Sequence, residues 1–289
     1  MLYFNMRSLY ILTLIFNVLA SPVIPAIKSK IVIIADLHAD INRFKDVLKD
    51  AKILDYNENW IAPPNTTVIQ LGDQIDPKQN DKNDIDDSHH FKMIYYTNQL
   101  QKYALENDSK FISLIGNHEL MNIEKIKRKP NLRDIIAHRP VLLFFQNYAF
   151  CHGGFKKRHY YLLNIYNKNV SDINQIWYKY VYDIPVTLTE ELLLKNLILD
   201  QYDSILYTRI PDSKNDIYNL FNMLNIDYMF VGHSETDFVY LKYKIWCLDL
   251  QLKSAFDSMV YNYIIIENDN IIIKSLESYP TFFDLVGYN

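Results

Sequence analysis

Five short blocks of this chain carry the residue types that bind cations or move protons. They are Asp36-Leu37-His38, Asp73-Gln74-Ile75-Asp76, Asn117-His118-Glu119, His152-Gly153-Gly154 and Gly232-His233. Carboxylate, imidazole and amide oxygen are ligands for divalent Mn, Fe or Zn. No thiolate joins them, which argues against a structural zinc site. One polar turn of this kind is more often ordinary than functional. Here the event recurs, because each block follows an apolar run: residues 30–35, 66–71, 111–115, 148–151 and 226–231. Five such coincidences point to one shared metal site.

The runs that lead into these blocks must be the elements that position them. Residues 30–35 are apolar and β-branched without alternation, the pattern of a strand buried on both faces. Residues 66–71 and 111–115 read the same way. Further strands are expected over 141–145, 148–151, 226–231, 240–248, 260–267 and 271–276, with Asn268-Asp269-Asn270 as a hairpin turn. Helical spacing appears over 41–51 (Phe44, Val47, Leu48) and over 91–105 (Met93, Ile94, Thr97, Leu100, Ala104). It appears again over 188–199, and partly over 120–137, where Pro130 is expected to break it. Residues 77–90 read as a polar loop, with His89 and His90 solvated. Strands that end at a site and lead into helices place ligands at the C-terminal strand edge. The fold class expected is α/β: a mixed β-sandwich with helices on both outer faces, in four layers, α/β/β/α.

The chain has 289 residues, 49% of them apolar and 22% charged, which is globular and not disordered. A net charge of −4 and the lack of a basic stripe with interleaved aromatics argue against a nucleic-acid grip. Cys151 and Cys247 adjoin apolar runs and read as buried thiols, with pairing between them left open and no disulfide framework present. Arg7, the apolar run 9–20 and Ser21 match a secretory signal peptide, or else an uncleaved anchor. The domains expected are a leader over 1–21, one domain over 29–278 and a tail over 279–289. A cleaved leader implies the secretory pathway or the exterior, an uncleaved one a membrane anchor. Any membrane contact is expected only through this segment.

The ordered series DLH, GDQID, GNHE, HGG and GH resembles the calcineurin-like metallophosphoesterases. GNHE with HGG is similar to their phosphoprotein-phosphatase branch. GNHELMN, Leu206-Tyr207-Thr208-Arg209 and Gly232-His233-Ser234 are most similar to the Shewanella-like protein phosphatases. Glu235 stands where many non-protein phosphoesterases have a second histidine, which favours the same branch. The resemblance covers residues 31–275. It implies two divalent metal ions, Mn, Fe or Zn. Asp36 and His38 would hold the first, Asp73 would bridge both, and Asn117, His152 and His233 would hold the second. It implies hydrolysis of phosphomonoesters by a hydroxide shared between the ions. His118 would be the general acid, Asp76 would orient it, and Arg209 would grip the phosphate. Glu119 is left to fix a neighbouring ligand or backbone amide.

Two departures bear on that picture. The glycines that usually flank the first block are Ala35 and Ala39 here, a change expected to be tolerated unless the backbone needs positive φ. The Arg-Gly expected after the second aspartate is Pro77-Lys78. Lys78 offers a point charge but no fork. Arg128, Arg133 or Arg139 could substitute, and Arg133 is the choice the resemblance implies; a surface ion pair is its other reading. The partner implied is a phosphorylated protein or a small phosphoester. A nucleotide or dinucleoside-polyphosphate hydrolase of the same chemistry is the alternative. A non-catalytic binding module would have lost ligands, and none of the six ligand positions is lost.

Overall fold

The computed structural model describes residues 29–76, 91–209, 213–236, 239–249 and 259–278. The leader, Pro77, Lys78, His89, His90 and the tail 279–289 lie outside them. The strands in chain order are β1 (Lys30–Ile34), β2 (Thr66–Gln70), β3 (Lys110–Ser113), β4 (Leu142–Phe145), β5 (Tyr148–Cys151), β6 (Tyr228–Val231), β7 (Tyr240–Lys242), β8 (Ile245–Cys247), β9 (Met259–Glu267) and β10 (Asn270–Ser278). The helices are α1 (Ile41–Asp50), α2 (Lys92–Glu106), α3 (Asn117–Met121), α4 (Ile123–Lys127), α5 (Pro130–Ala137), α6 (Lys157–Ile165), α7 (Val170–Val181), α8 (Leu188–Leu194) and α9 (Lys214–Leu224). A π-helical turn, Lys195–Leu199, continues α8.

Two mixed five-stranded sheets form. One runs β10-β9-β1-β2-β3, the other β4-β5-β6-β8-β7. In the first, β1, β2 and β3 are parallel. In the second, β5, β6 and β8 are parallel. Parallel neighbours end on one edge, so every ligand block leaves its sheet on the same side as its neighbours.

Alternate residues of β1 explain the layering. Ile31 and Ile33 face the second sheet, in a core shared with Ile69, Phe150, Phe230 and Ile264. Val32 and Ile34 face the other way, among Phe44, Val47 and Leu48 of α1 and Met93 and Leu100 of α2. A third core packs β5 and β6 against α5, α7 and α9 through Ile136, Trp177 and Phe221. The order is therefore helix, sheet, sheet, helix, as expected. Burying each such side chain fully is worth about 1.5–3 kcal/mol. A slip of one residue in β1 would exchange one apolar set for another, so burial alone fixes its register weakly.

Two local expectations are corrected. Residues 240–248 are not one strand but a hairpin of β7 and β8. Tyr243 and Lys244 turn it at φ 52° and 70°. A two-residue turn of this type needs positive φ at both positions and normally shows Asn or Gly, so the sequence hid it. Pro130 does not simply break a helix. It opens α5 from the first turn, where its missing N–H costs nothing. The turn at Asn268 and Asp269 forms as expected between β9 and β10. Cys151 and Cys247 are both buried and free. Among the described residues no helix is long and apolar enough to cross a membrane.

Candidate metal centre

Asp73 is the meeting point. It follows β2, is almost wholly buried, and belongs to two groups of potential ligands: His38, Asp73 and His118, and Asp73, His152 and His233. Within each group one ligand atom per residue lies within 4.8 Å of the others. Asp73 Oδ2 is 3.2 Å from His152 Nε2 and 3.8 Å from His118 Nε2. Asn117 Oδ1 lies 2.8 Å from the same His152 nitrogen. Asp36 Oδ2 is 3.9 Å from His38 Nε2, and both Asp36 oxygens accept from the backbone N–H of His233 at 3.3 Å. The structure thus gathers Asp36, His38, Asp73, Asn117, His118, His152 and His233 from five strand ends.

The imidazoles are turned alike. His38 Nδ1 is 3.0 Å from the Asp76 carbonyl, His152 Nδ1 is 2.9 Å from the Leu71 carbonyl, and His118 Nδ1 is 2.9 Å from Asp76 Oδ2. Each acceptor holds a proton on Nδ1 and leaves Nε2 facing the cluster. His233 bonds the Tyr207 carbonyl, and its ring packs edge-on against the Tyr207 ring.

The charges are those of a site that wants cations. Burial opposes ionisation of Asp73, yet His152, His118 and His38 together hold its carboxyl well below the usual range. Burial opposes charge on His152, but Asp73 and Asp36 push it up to about 10. Burial and the neighbouring His152 push His233 down to about 3. For His118, burial is outweighed by the Asp76 hydrogen bond and the charges of Asp73, Asp76 and Glu119, so its pKa is raised. Buried carboxylates are here balanced by imidazolium. A divalent ion would take over that balance and displace the proton from the ligating Nε2 of His152. The donor set, oxygen and imidazole nitrogen, fits such ions.

Backbone geometry is unusual at these residues. His38, Ala39, Asp73, Asp76 and His233 all lie at positive φ, between 43° and 64°. Ala39, at φ 64°, meets the stated exception: this is the left-handed region that favours glycine, and alanine occupies it at a cost. Two glycines permit close approach. A Cβ on Gly116 would fall 2.1 Å from Asp73 Oδ1, and one on Gly232 2.2 Å from Asp36 Oδ1. The first ligand turn hangs on the second: the N–H groups of Leu37 and His38 donate to the Asp73 carbonyl, and that of Ala39 to the Gln74 carbonyl.

Glu119 does what was left to it. Fully buried, it accepts from the N–H groups of Asp73 and Gly116 through Oε2 and of Gln74 through Oε1, at 2.7 to 2.9 Å. Arg209 is exposed and near enough for its charge to disfavour protonation of His233. Arg133 lies on α5 with its guanidinium 5.1 Å from the Tyr182 ring centroid. Arg139 is buried and donates to Gln74, Thr97 and the Ile94 carbonyl, so it does not face a substrate. In the sequence Gln70 and Gln74 carry no assigned role and Arg139 is weighed only as a phosphate clamp, a reading its buried contacts overturn. A glutamine inside the apolar run 66–71 was the available signal.

Over 95 residues the chain is 30% identical to Shewanella-like protein phosphatase 2 of Arabidopsis thaliana, which is 33% of this chain and 22% of that protein. It is 34% identical over 95 residues to Shewanella-like protein phosphatase 1 of Plasmodium berghei, covering 32% and 23%. The matched part is therefore under a quarter of either relative's length. The cold-active protein-tyrosine phosphatase of a psychrophilic Shewanella species superposes with a TM-score of 0.66 at 16% identity, over 86% of this chain and 80% of that one. That likeness shows the fold. The family model described as calcineurin-like phosphoesterase matches residues 29–235, from the start of β1 to just past the last ligand turn. The chain belongs to the calcineurin-like phosphoesterases.

Proposed function

We propose that the protein is a metal-dependent phosphoric ester hydrolase, acting on phosphomonoesters and most naturally on phosphoproteins. The observation that carries this reading is the sharing of Asp73 by two ligand groups, with ring nitrogens converging on one carboxylate from both sheets. Asp36, His38 and Asp73 would hold one ion, and Asp73, Asn117, His152 and His233 the other. Such ions supply Lewis acidity toward phosphoryl oxygens and lower the pKa of water.

The chain's own groups do the rest. His118 holds a proton on Nδ1 against Asp76, and Asn122 Nδ2 donates 2.7 Å to the same Asp76 oxygen, which fixes the pair. Its side chain is 27% exposed, whereas that of His152 is fully enclosed. His118 can therefore reach a leaving oxygen and protonate it from Nε2. Its place in the first ligand group also admits it as a ligand, and the substitution described in the Discussion separates the two roles. Arg209 offers a forked donor to phosphoryl oxygens. The two sequence relatives are named protein phosphatases and the solved neighbour a protein-tyrosine phosphatase, which supports phosphoprotein as the substrate class.

The test is a panel of phosphoseryl, phosphothreonyl and phosphotyrosyl peptides against dinucleoside polyphosphates, with Mn2+ added to chelator-stripped protein. Peptide turnover that needs Mn2+ is expected. Cleavage of the dinucleotides alone would replace the substrate class, and no cleavage under any divalent ion by folded protein would overturn the enzymatic reading.

A further inference from the structure

We propose that Arg139 is a positioning residue for the metal-ligating turns, acting through a directional chain of two buried amides, Gln74 and Gln70. This rests on the metal-centre reading above and concerns residues that touch neither ion nor substrate.

The chain of contacts is continuous. Arg139 Nη1 donates to Gln74 Oε1 at 2.7 Å. Gln74 Nε2 donates to Gln70 Oε1 at 2.7 Å. Gln70 Nε2 donates to the Ala35 carbonyl at 3.1 Å and to the Gly72 carbonyl at 2.5 Å. Arg139 is anchored behind by the Thr97 hydroxyl at 2.8 Å and the Ile94 carbonyl at 3.2 Å, both on α2. Both glutamines are fully buried. The two carbonyls at the far end belong to the residues immediately before Asp36 and Asp73.

Direction is the point. A side-chain amide can face either way, and a buried pair of amides alone could adopt either sense. A guanidinium carries donors only. Arg139 therefore holds Gln74 Oε1 toward itself, joined by the Thr97 hydroxyl at 2.9 Å from the same oxygen, which turns Gln74 Nε2 toward Gln70. Gln70 must then accept there and present its own Nε2 to the two carbonyls. Reversed, the far end would set an amide oxygen against two carbonyl oxygens, and the ends of β1 and β2 would be pushed apart. The cation at one end and the two carbonyls at the other thus lock the chain in one sense, and Arg139 anchors the tie between the two ligand-bearing turns to α2. Burial on both faces of β1 leaves its register weakly specified, and this tie supplies a polar stop at its end.

A simpler role competes: Arg139 could serve only as counter-charge to the buried Glu119. Removing the link downstream separates the two, because Gln70→Leu leaves Arg139 and Glu119 intact. The experiment is Mn2+ titration of chelator-stripped wild type, Arg139→Met, Arg139→Lys and Gln70→Leu. Binding is followed by calorimetry and by the loss of the free-Mn2+ paramagnetic resonance signal, with near-ultraviolet circular dichroism confirming the fold. About tenfold weaker binding or more is expected for folded Arg139→Met and Gln70→Leu, the range seen when partners of metal ligands are removed, with partial recovery in Arg139→Lys. A role confined to stability would lower the melting temperature and leave the affinity of folded protein unchanged. If Arg139→Met does not fold, Gln70→Leu decides alone. Folded Gln70→Leu that binds Mn2+ within twofold of wild type overturns the proposal by itself. Wild type that binds no divalent ion overturns the metal-centre reading, and this proposal with it.

Discussion

The two halves of the site are built by different means. On the side of β1, β2 and β3, the ligand turns are held by hydrogen bonds in a fully buried polar lattice. Glu119 ties three backbone N–H groups, and Gln70, itself held by Gln74, ties two carbonyls. On the side of β5 and β6, the ties run mostly through the backbone, with the N–H of Gly232 donating to the His152 carbonyl at 2.8 Å and that of His233 to Asp36, and apolar packing lies behind them. His152 has its Leu71 contact and the Gly153 and Gly154 N–H groups donate to the Ile205 carbonyl, while Ile205, Leu206, Met229 and Val231 fill the space behind. Hydrogen bonds fix direction, whereas apolar contacts fix only volume. The first half, with its side-chain lattice, should therefore be the one whose metal affinity responds most to substitutions that touch no ligand. The second, which carries the exposed Arg209, should govern how a substrate is gripped.

Asp73→Asn attacks the residue both halves share, so its effect should be the largest. Metal binding and turnover are expected to vanish together, read by metal analysis of dialysed protein and by phosphopeptide assay. Retained activity would break the idea of a shared ligand. His118→Asn should keep its metal content and lose about 10²–10⁴ in kcat, the usual worth of a positioned acid. Loss of metal instead would make His118 a ligand. Arg209→Ala should lower kcat/KM about tenfold to a hundredfold, mainly through KM, because a charge-assisted hydrogen bond is worth about 1.5–3 kcal/mol. Unchanged metal affinity in that variant would sharpen the division between the halves.

The pH profile offers a finer cut. An acid must hold its proton, so activity should fall as pH rises through the pKa of His118 in the loaded enzyme, which the Asp76 hydrogen bond raises and bound cations lower. Asp76→Asn removes the charge that favours that proton, and the alkaline limb should move to lower pH. An unmoved limb would assign it to another group. The smallest effect is expected for Ala39→Gly. Left-handed backbone costs an L-residue about 1–2 kcal/mol, and the greater freedom of glycine when unfolded offsets about 0.5–1 kcal/mol. Urea unfolding should show a gain of about 1.5 kcal/mol at most, with metal affinity unchanged.

Much of this was legible in the sequence because two periods are strong. The helical face of α2 was read residue for residue, as Met93, Ile94, Thr97, Leu100 and Ala104, and all five are buried. The strands that lead to the site were visible because burial on both faces makes uninterrupted apolar runs. The ligand-type residues were visible because five polar breaks ended those runs in order. What escaped was set by tertiary contact. The β7–β8 turn carries no turn residue, and its conformation is imposed by the pairing of its strands. Arg139 is 65 residues from Gln74 in sequence, and nothing local marks them as neighbours. The strain at Ala39 depends on a φ that the fold alone decides.

One feature of the turns bears on how the protein would respond to chelation. Because three successive N–H groups, from Leu37 to Ala39, hang on the carbonyls of Asp73 and Gln74, neither turn can relax while the other stays in place. Loading and loss of ions should accordingly be cooperative. Chelator titrations should pass from fully loaded to metal-free chain with little singly loaded protein between, so the site would behave as a switch and not as a graded buffer.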